Sequence, residues 1–170
     1  MNEKTNIEHG TADGFLRLYN PHHGTDYEIV EVSDAPDIRC RDSEGRELNL
    51  EITTTEDNDR DIQALLGRSD HLSIEALEKH NERVAAGLEK PKYNSLSGNV
   101  SDKLIDRIKC KLIKDYGGNV ALVIRDTSGC DWEWDEVEDE IRNRLDLSRN
   151  PFEKGIWVLS RVKDKLFRIV

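Results

Sequence analysis

Residues 36–55 read PDIRCRDSEGRELNLEITTT and predict a β-hairpin. Two stretches, 38–41 and 48–53, alternate apolar and polar residues, which is typical of strands with one buried face. The polar segment 43–45 between them ends in a glycine. A three-residue loop with glycine in the left-handed conformation is a common hairpin connection, and it fixes how the two strands pair.

The predicted pairing brings two carboxylates face to face. Arg39 lies opposite Asn49, and Asp37 lies opposite Glu51. The apolar face carries Ile38, Cys40, Leu48, Leu50 and Ile52, and the polar face carries Asp37, Arg39, Arg41, Glu47, Asn49, Glu51 and Thr53. Opposed residues have Cβ atoms about 5 Å apart, so two like charges there destabilise the pair unless something neutralises them. A divalent cation would do so, and so would Arg39 or Arg41.

The rest of the chain predicts an α/β fold. Hydrophobic periodicity and turn residues indicate helices at 11–19, 74–88, 102–116 and 134–145, with further strands at 27–32, 120–124, 156–159 and 166–170. Asn20-Pro21 should end the first helix, and Gly117-Gly118 the third. The continuous apolar run 120–124 is typical of a strand that is covered on both faces.

Length and composition favour a single domain. With 170 residues, of which 36% are hydrophobic, the chain can bury one core. We expect one domain, 1–170, with a helical insertion at about 56–100. The sequence contains no apolar run long enough for a signal peptide or a membrane span. Its three cysteines are widely spaced and indicate neither disulfides nor zinc. We therefore expect a soluble, cytoplasmic protein with no membrane partner.

The charge is unevenly distributed. The net charge is −10, and the segment Asp126 to Asp146 contains nine acidic residues and two arginines. Such a balance argues against a protein that coats nucleic acid nonspecifically, because affinity for phosphate comes largely from Lys and Arg. Two stretches, Lys103 to Lys114 and Arg161 to Arg168, are positive, and we expect them to line any groove that binds nucleic acid. Charged runs of this kind are also usual on ordinary solvated faces.

Pro36-Asp37, the hairpin and Glu51-Ile52-Thr53 resemble the signature of the PD-(D/E)XK nuclease superfamily. The order of elements is similar to that superfamily's αβββαβ core, over roughly residues 11–126. The resemblance implies a restriction-endonuclease-like fold with a mixed central sheet flanked by helices. It also implies a metal-dependent nuclease in which Asp37 and Glu51 bind Mg²⁺, with Mn²⁺ as a substitute. The substrate of that nuclease would be nucleic acid, with DNA favoured.

One position departs from the motif, since Thr53 stands where the superfamily usually has lysine. A neutral hydroxyl cannot supply the point charge that stabilises the transition state. Some branches of the superfamily resemble this sequence in having Glu-x-Thr and a lysine on the following helix. By that likeness, Lys111 is the first candidate and Lys114 the second, with Thr53 supporting the metal ligands. Both lysines border the apolar stripe of their helix, where a lysine can equally extend to water with its stem packed.

Two further features keep other interpretations open. The superfamily often has an acidic residue on its first helix, for which the chain offers Asp13, or Glu8 just before the predicted helix.

The missing motif lysine and the negative charge favour an alternative function. In that alternative, a catalytically inactive nuclease-like domain binds a protein partner through the acidic segment 126–146.

Overall fold

A computed structural model describes residues 3–55, 83, 86–88, 100–126, 132–160 and 164–170. The chain divides into two compact units, residues 1–55 with 100–170, and residues 56–99. The first unit contains every element described below. The predicted insertion at about 56–100, with most of its helix 74–88, lies outside the described residues.

The first unit has an α/β fold, as the sequence predicts. Its elements are α1 (Glu3–His23), β1 (Glu28–Val32), β2 (Ile38–Arg41), β3 (Glu47–Thr54), α2 (Val100–Leu112), β4 (Val120–Asp126), α3 (Trp134–Arg144), β5 (Ile156–Ser160) and β6 (Lys165–Arg168). The six strands form one sheet in the order β1-β2-β3-β4-β5-β6. Strands β3, β4 and β5 run parallel, and the other neighbours pair antiparallel, so the sheet is mixed.

The hairpin of β2 and β3 forms in the predicted register. Arg39 pairs with Asn49 and Cys40 with Leu48. Gly45 has a φ of 81°, the left-handed conformation that the three-residue loop requires. Because the loop sets the register, the apolar side chains of both strands point to one face and the polar side chains to the other.

Hydrophobic layers cover both faces of the sheet. On one face, α1 contributes Phe15 and Leu16 to a cluster with the apolar side of the hairpin. On the other face, α2 and α3 pack against alternate residues of β4 and β5, such as Leu122 and Val158. Glu51 points to the α2 face, since its neighbours Leu50 and Ile52 belong to the α1 cluster.

Two helix boundaries differ from the sequence prediction. Helix α1 covers Glu3–His23 and continues through Pro21 into its last turn, so Asn20-Pro21 does not end it. After it, the Asn20 side chain accepts the Tyr27 N–H at 3.1 Å, which joins the helix end to β1. Helix α2 covers Val100–Leu112, so Lys114 lies beyond its end.

The antiparallel hairpin places its candidate residues at one end of the sheet. Strand β3 runs from Glu47 to Thr54, and its neighbour β2 runs in the opposite direction. Asp37, which precedes β2, is therefore at the same end of the sheet as the C-terminal half of β3.

Within the described ranges, none of the helices has the length and apolar character that crossing a membrane requires.

Candidate functional site

Asp37 is held against the backbone of β3. The pairing of β2 with β3 reaches Ile38 and Leu50, and beyond that point the Asp37 carboxylate accepts the Ile52 N–H at 2.7 Å. The side chain thus replaces the backbone acceptor that a longer strand would have supplied. Asp37 is only 4% exposed. This bond fixes the carboxylate at the end of the hairpin instead of leaving it in solvent.

Glu51 is buried in the middle of the same region and is bound by a lysine from α2. The Lys111 ammonium donates to Glu51 Oε1 at 2.5 Å, and the two side chains are 19% and 4% exposed. The other oxygen, Glu51 Oε2, has no hydrogen-bond partner among the described residues. A buried carboxylate oxygen normally has one. Glu51 therefore presents one oxygen that the protein holds and one that is open to a further ligand.

Tyr116 lies beside Glu51, four residues after the end of α2. Its hydroxyl is buried and has no hydrogen-bond partner among the described residues. Burial, then the negative charge of Glu51 and the close approach of the hydroxyl to that carboxylate, raise the pKa of Tyr116, although the contact is short of regular hydrogen-bond geometry. The phenol therefore stays protonated at neutral pH and remains available as a hydrogen-bond donor.

The electrostatic environment makes Asp37 hard to ionise. Burial raises its pKa to about 6, and the nearby negative charges of Glu51 and Glu8 act in the same direction. The Ile52 N–H and the charge of Lys111 oppose this rise. At neutral pH the region thus holds several carboxylates near a single buried ammonium. A bound cation would relieve their mutual repulsion.

Glu8 is a third acidic residue near this site. The predicted first helix, 11–19, does not include it. It lies on α1, is 7% exposed, and forms an ion pair with Lys4 at 3.2 Å. Asp13, the other candidate on this helix, is exposed and accepts a bond from His9 at 3.0 Å. The buried residues of α1 recur at helical spacing: Glu8, Thr11, Ala12, Phe15 and Leu16. A search for apolar residues alone misses this stripe, because its first two members are polar.

The structure brings together three of the residues that the resemblance implied, and it separates one. Asp37, Glu51 and Lys111 converge. Thr53 is half-buried on β3, two residues beyond Glu51 and on the same face. Lys114 is exposed after the end of α2. Lys111, and not Lys114, is therefore the cation next to Glu51.

The acidic side chains are better suited to a cation that keeps water ligands than to a cation that only protein atoms coordinate. In the part of the chain that the structure describes, no group of three or more His, Cys, Asp and Glu side chains is arranged to hold a metal ion. Mg²⁺ commonly needs only one or two carboxylates, with waters and substrate phosphate as the other ligands. Asp37 and the open oxygen of Glu51 fit that smaller set.

The histidine pair His22-His23 lies elsewhere. Both residues are in the last turn of α1, where the His23 ring contacts Tyr19 and Trp157. Burial and the nearby positive charges of His22 and Arg168 lower the pKa of His23. The pair belongs to the opposite face of the sheet from Glu51, because Trp157 packs in the α1 cluster.

Comparison with models of protein families, with curated proteins and with solved structures gives no match to this chain.

Proposed function

We propose that the chain is a metal-dependent phosphodiesterase that cuts nucleic acid, of PD-(D/E)XK type and with a restriction-endonuclease-like core. The observation that carries the proposal is the contact between Lys111 and Glu51, which are 60 residues apart in sequence. The motif lysine is missing from β3, and an ammonium from the next helix lies beside the motif glutamate instead. The resemblance implied such a replacement.

In this proposal, Asp37 and Glu51 Oε2 hold Mg²⁺, or Mn²⁺ in its place. When bound, the ion supplies a water activated for attack and neutralises charge on the scissile phosphate. Asp37 is oriented for this role by its bond from the Ile52 N–H. Glu51 is oriented by Lys111 through Oε1, which leaves Oε2 as the oxygen that would bind the ion. Thr53 supports the ligands from the adjacent position on β3.

Lys111 has a further role in the proposed reaction. Its ammonium is largely buried beside Glu51, where a point charge interacts more strongly than it does in water. As the phosphate gains negative charge in the transition state, Lys111 stabilises it without reorganisation. The substrate is a phosphodiester of nucleic acid, with DNA favoured, and we place the activity in the cytoplasm.

A nuclease assay with Mg²⁺ tests this proposal on the wild type and on Asp37→Ala, Glu51→Ala and Lys111→Ala. We expect each variant to lose at least about a hundredfold in rate, because each removes charge stabilisation that acts in the transition state. Lys114→Ala is the matched control, since it removes an equal charge three residues away on an exposed side chain. Equal losses in Lys111→Ala and Lys114→Ala would contradict the assigned role.

The acidic surface of α3 favours a second candidate function. Glu133, Asp135, Glu136 and Asp139 are all exposed, at or near the beginning of this helix. In this alternative, the domain is inactive and binds a basic segment of a protein partner through these carboxylates. Titration with a lysine-rich peptide tests it. Binding that is lost when the four residues become amides would support it, and no binding by an inert wild type would remove it.

A further inference from the structure

A cavity of about 390 Å³ lies next to the candidate site, over the polar face of β2 and β3. Pro36 and Tyr116 form the wall that it shares with the site. Pro36 directly precedes Asp37, and the Tyr116 hydroxyl lies beside Glu51. Asp37 and Glu51 do not line the cavity themselves, so an occupant would lie next to the two carboxylates, with Pro36 and Tyr116 between.

Two arginines of β2 line this cavity. Arg39 and Arg41 are two residues apart on β2, so their side chains point to the same face of the sheet. Arg39 pairs with Glu31 at 3.5 Å, and Arg41 pairs with Glu47 at 3.2 Å. All four side chains are at least half exposed. Ion pairs of this kind contribute little in water, so either arginine can exchange its glutamate for a stronger partner at small cost.

The opposite wall is formed largely by backbone. The segment Gly117-Gly118-Asn119 connects α2 to β4, and the Asn49 amide donates to the Gly118 carbonyl at 3.3 Å. Gly117 has a φ of 77°, and a Cβ built on it would meet nothing within 4 Å. Gly117 thus allows the sharp turn of a loop that remains attached to β3 through Asn49.

The described part of the positive tail, residues 164–168, lies elsewhere. Strand β6, with Lys165 and Arg168, is at the opposite edge of the sheet from the hairpin, with two strands between β6 and β3. These residues line a separate cavity that includes Trp157. The arginines of β2 are consequently much closer to the candidate site.

We propose that the cavity above Arg39 and Arg41 binds the sugar-phosphate backbone of a nucleic-acid strand, next to the candidate site of Asp37, Glu51 and Lys111. This inference rests on the proposed function and adds the contact that places its substrate. A guanidinium binds phosphate oxygens through two parallel hydrogen bonds, which an exposed contact with one glutamate oxygen does not match. Glu31 and Glu47 remain in water when their arginines change partner.

Fluorescence anisotropy of a short labelled oligonucleotide tests the inference. Binding is measured in EDTA, so that no cleavage occurs, over a range of salt concentrations and with single-stranded DNA, duplex DNA and RNA as probes. We expect Arg39→Ala/Arg41→Ala to weaken binding of at least one probe by about tenfold and to lower the salt slope by about 2. The control is Arg142→Ala/Arg144→Ala, which removes the same charge from exposed positions of α3.

The outcomes separate this inference from the proposed function. Equal weakening by the two double variants would show only an effect of net charge and would overturn the inference, as would no binding of any probe. A chain that binds through Arg39 and Arg41 but never cleaves keeps the inference and loses the proposed function. A chain that cleaves with Mg²⁺ but binds equally well without the two arginines keeps the function and loses the inference.

Discussion

The polar face of the hairpin has two ends that differ in burial and not in residue type. Near the turn, Arg41 and Glu47 form an ion pair at 3.2 Å, with both side chains more than half exposed. At the other end, Lys111 and Glu51 form an ion pair at 2.5 Å, with side chains 19% and 4% exposed. The strands alternate in the same way throughout. The difference arises because α2 and Tyr116 cover only one end.

The two ends show how burial changes the contribution of an ion pair to stability. A pair in water gains little, since solvent screens it and its side chains lose entropy. A buried pair is strongly coupled, and removal of one partner leaves a charge that water cannot reach. The covered end is also where one oxygen of Glu51 has no hydrogen-bond partner among the residues that the structure describes. Burial therefore turns one end of an ordinary strand face into a candidate cation site, while the other end remains free to exchange partners.

The largest predicted effect is that of Lys111→Ala on stability. Because it leaves Glu51 buried without its ammonium, we expect a loss of about 3 to 5 kcal/mol in the free energy of unfolding at alkaline pH. Urea denaturation measures it. Lys111→Met combined with Glu51→Leu is the control, since removal of both charges should recover most of the loss. A change within about 0.5 kcal/mol for Lys111→Ala would show that the ion pair does not form as described.

The next effect is a pH dependence from Asp37. Its pKa in the folded protein is about 6, above the value for an exposed aspartate. The folded state therefore binds the proton more tightly than the unfolded state, so stability falls as pH rises from about 4 to about 6. The contribution is on the order of 2 to 3 kcal/mol. Denaturation of the wild type and Asp37→Asn across this range should differ in slope, and parallel curves would contradict the shift.

A smaller effect is expected for Tyr116→Phe. Among the described residues the buried hydroxyl makes no hydrogen bond of regular geometry, although it lies beside Glu51, so its removal discards a poorly satisfied, desolvated polar group. Without metal, the variant should be as stable as the wild type or more stable by up to about 1 kcal/mol. Thermal unfolding in EDTA checks this, with Tyr19→Phe as the control on the other face. A clear loss of stability in Tyr116→Phe would mean that the hydroxyl donates to Glu51 in solution.

The smallest effect is predicted for the exposed end. Glu47→Gln removes one partner of a pair in water, and we expect a change below about 0.5 kcal/mol in the free energy of unfolding. High salt should leave the difference from the wild type near zero. If Glu47→Gln instead costs as much as Lys111→Ala, the contrast between the two ends is wrong.

The sequence predicts the elements that depend on local rules. Gly45 and the alternation around it determine the register of β2 and β3, and the apolar run beginning at Val120 marks the central strand β4. The convergence of Lys111 with Glu51 could only be suggested, because it depends on how α2 packs across the sheet. Glu8 fell outside the predicted first helix, because a polar residue on a buried helical stripe gives no hydrophobic signal.

The central claim is that the covered end of the hairpin binds a divalent cation. Isothermal titration of Mg²⁺ and Mn²⁺ into the wild type and into Glu51→Gln, near neutral pH, tests it most directly. The account predicts that the wild type binds one ion per chain and that Glu51→Gln binds none, although the amide keeps the size of the side chain. A wild type that binds neither ion, or a Glu51→Gln variant that binds as well as the wild type, would contradict it.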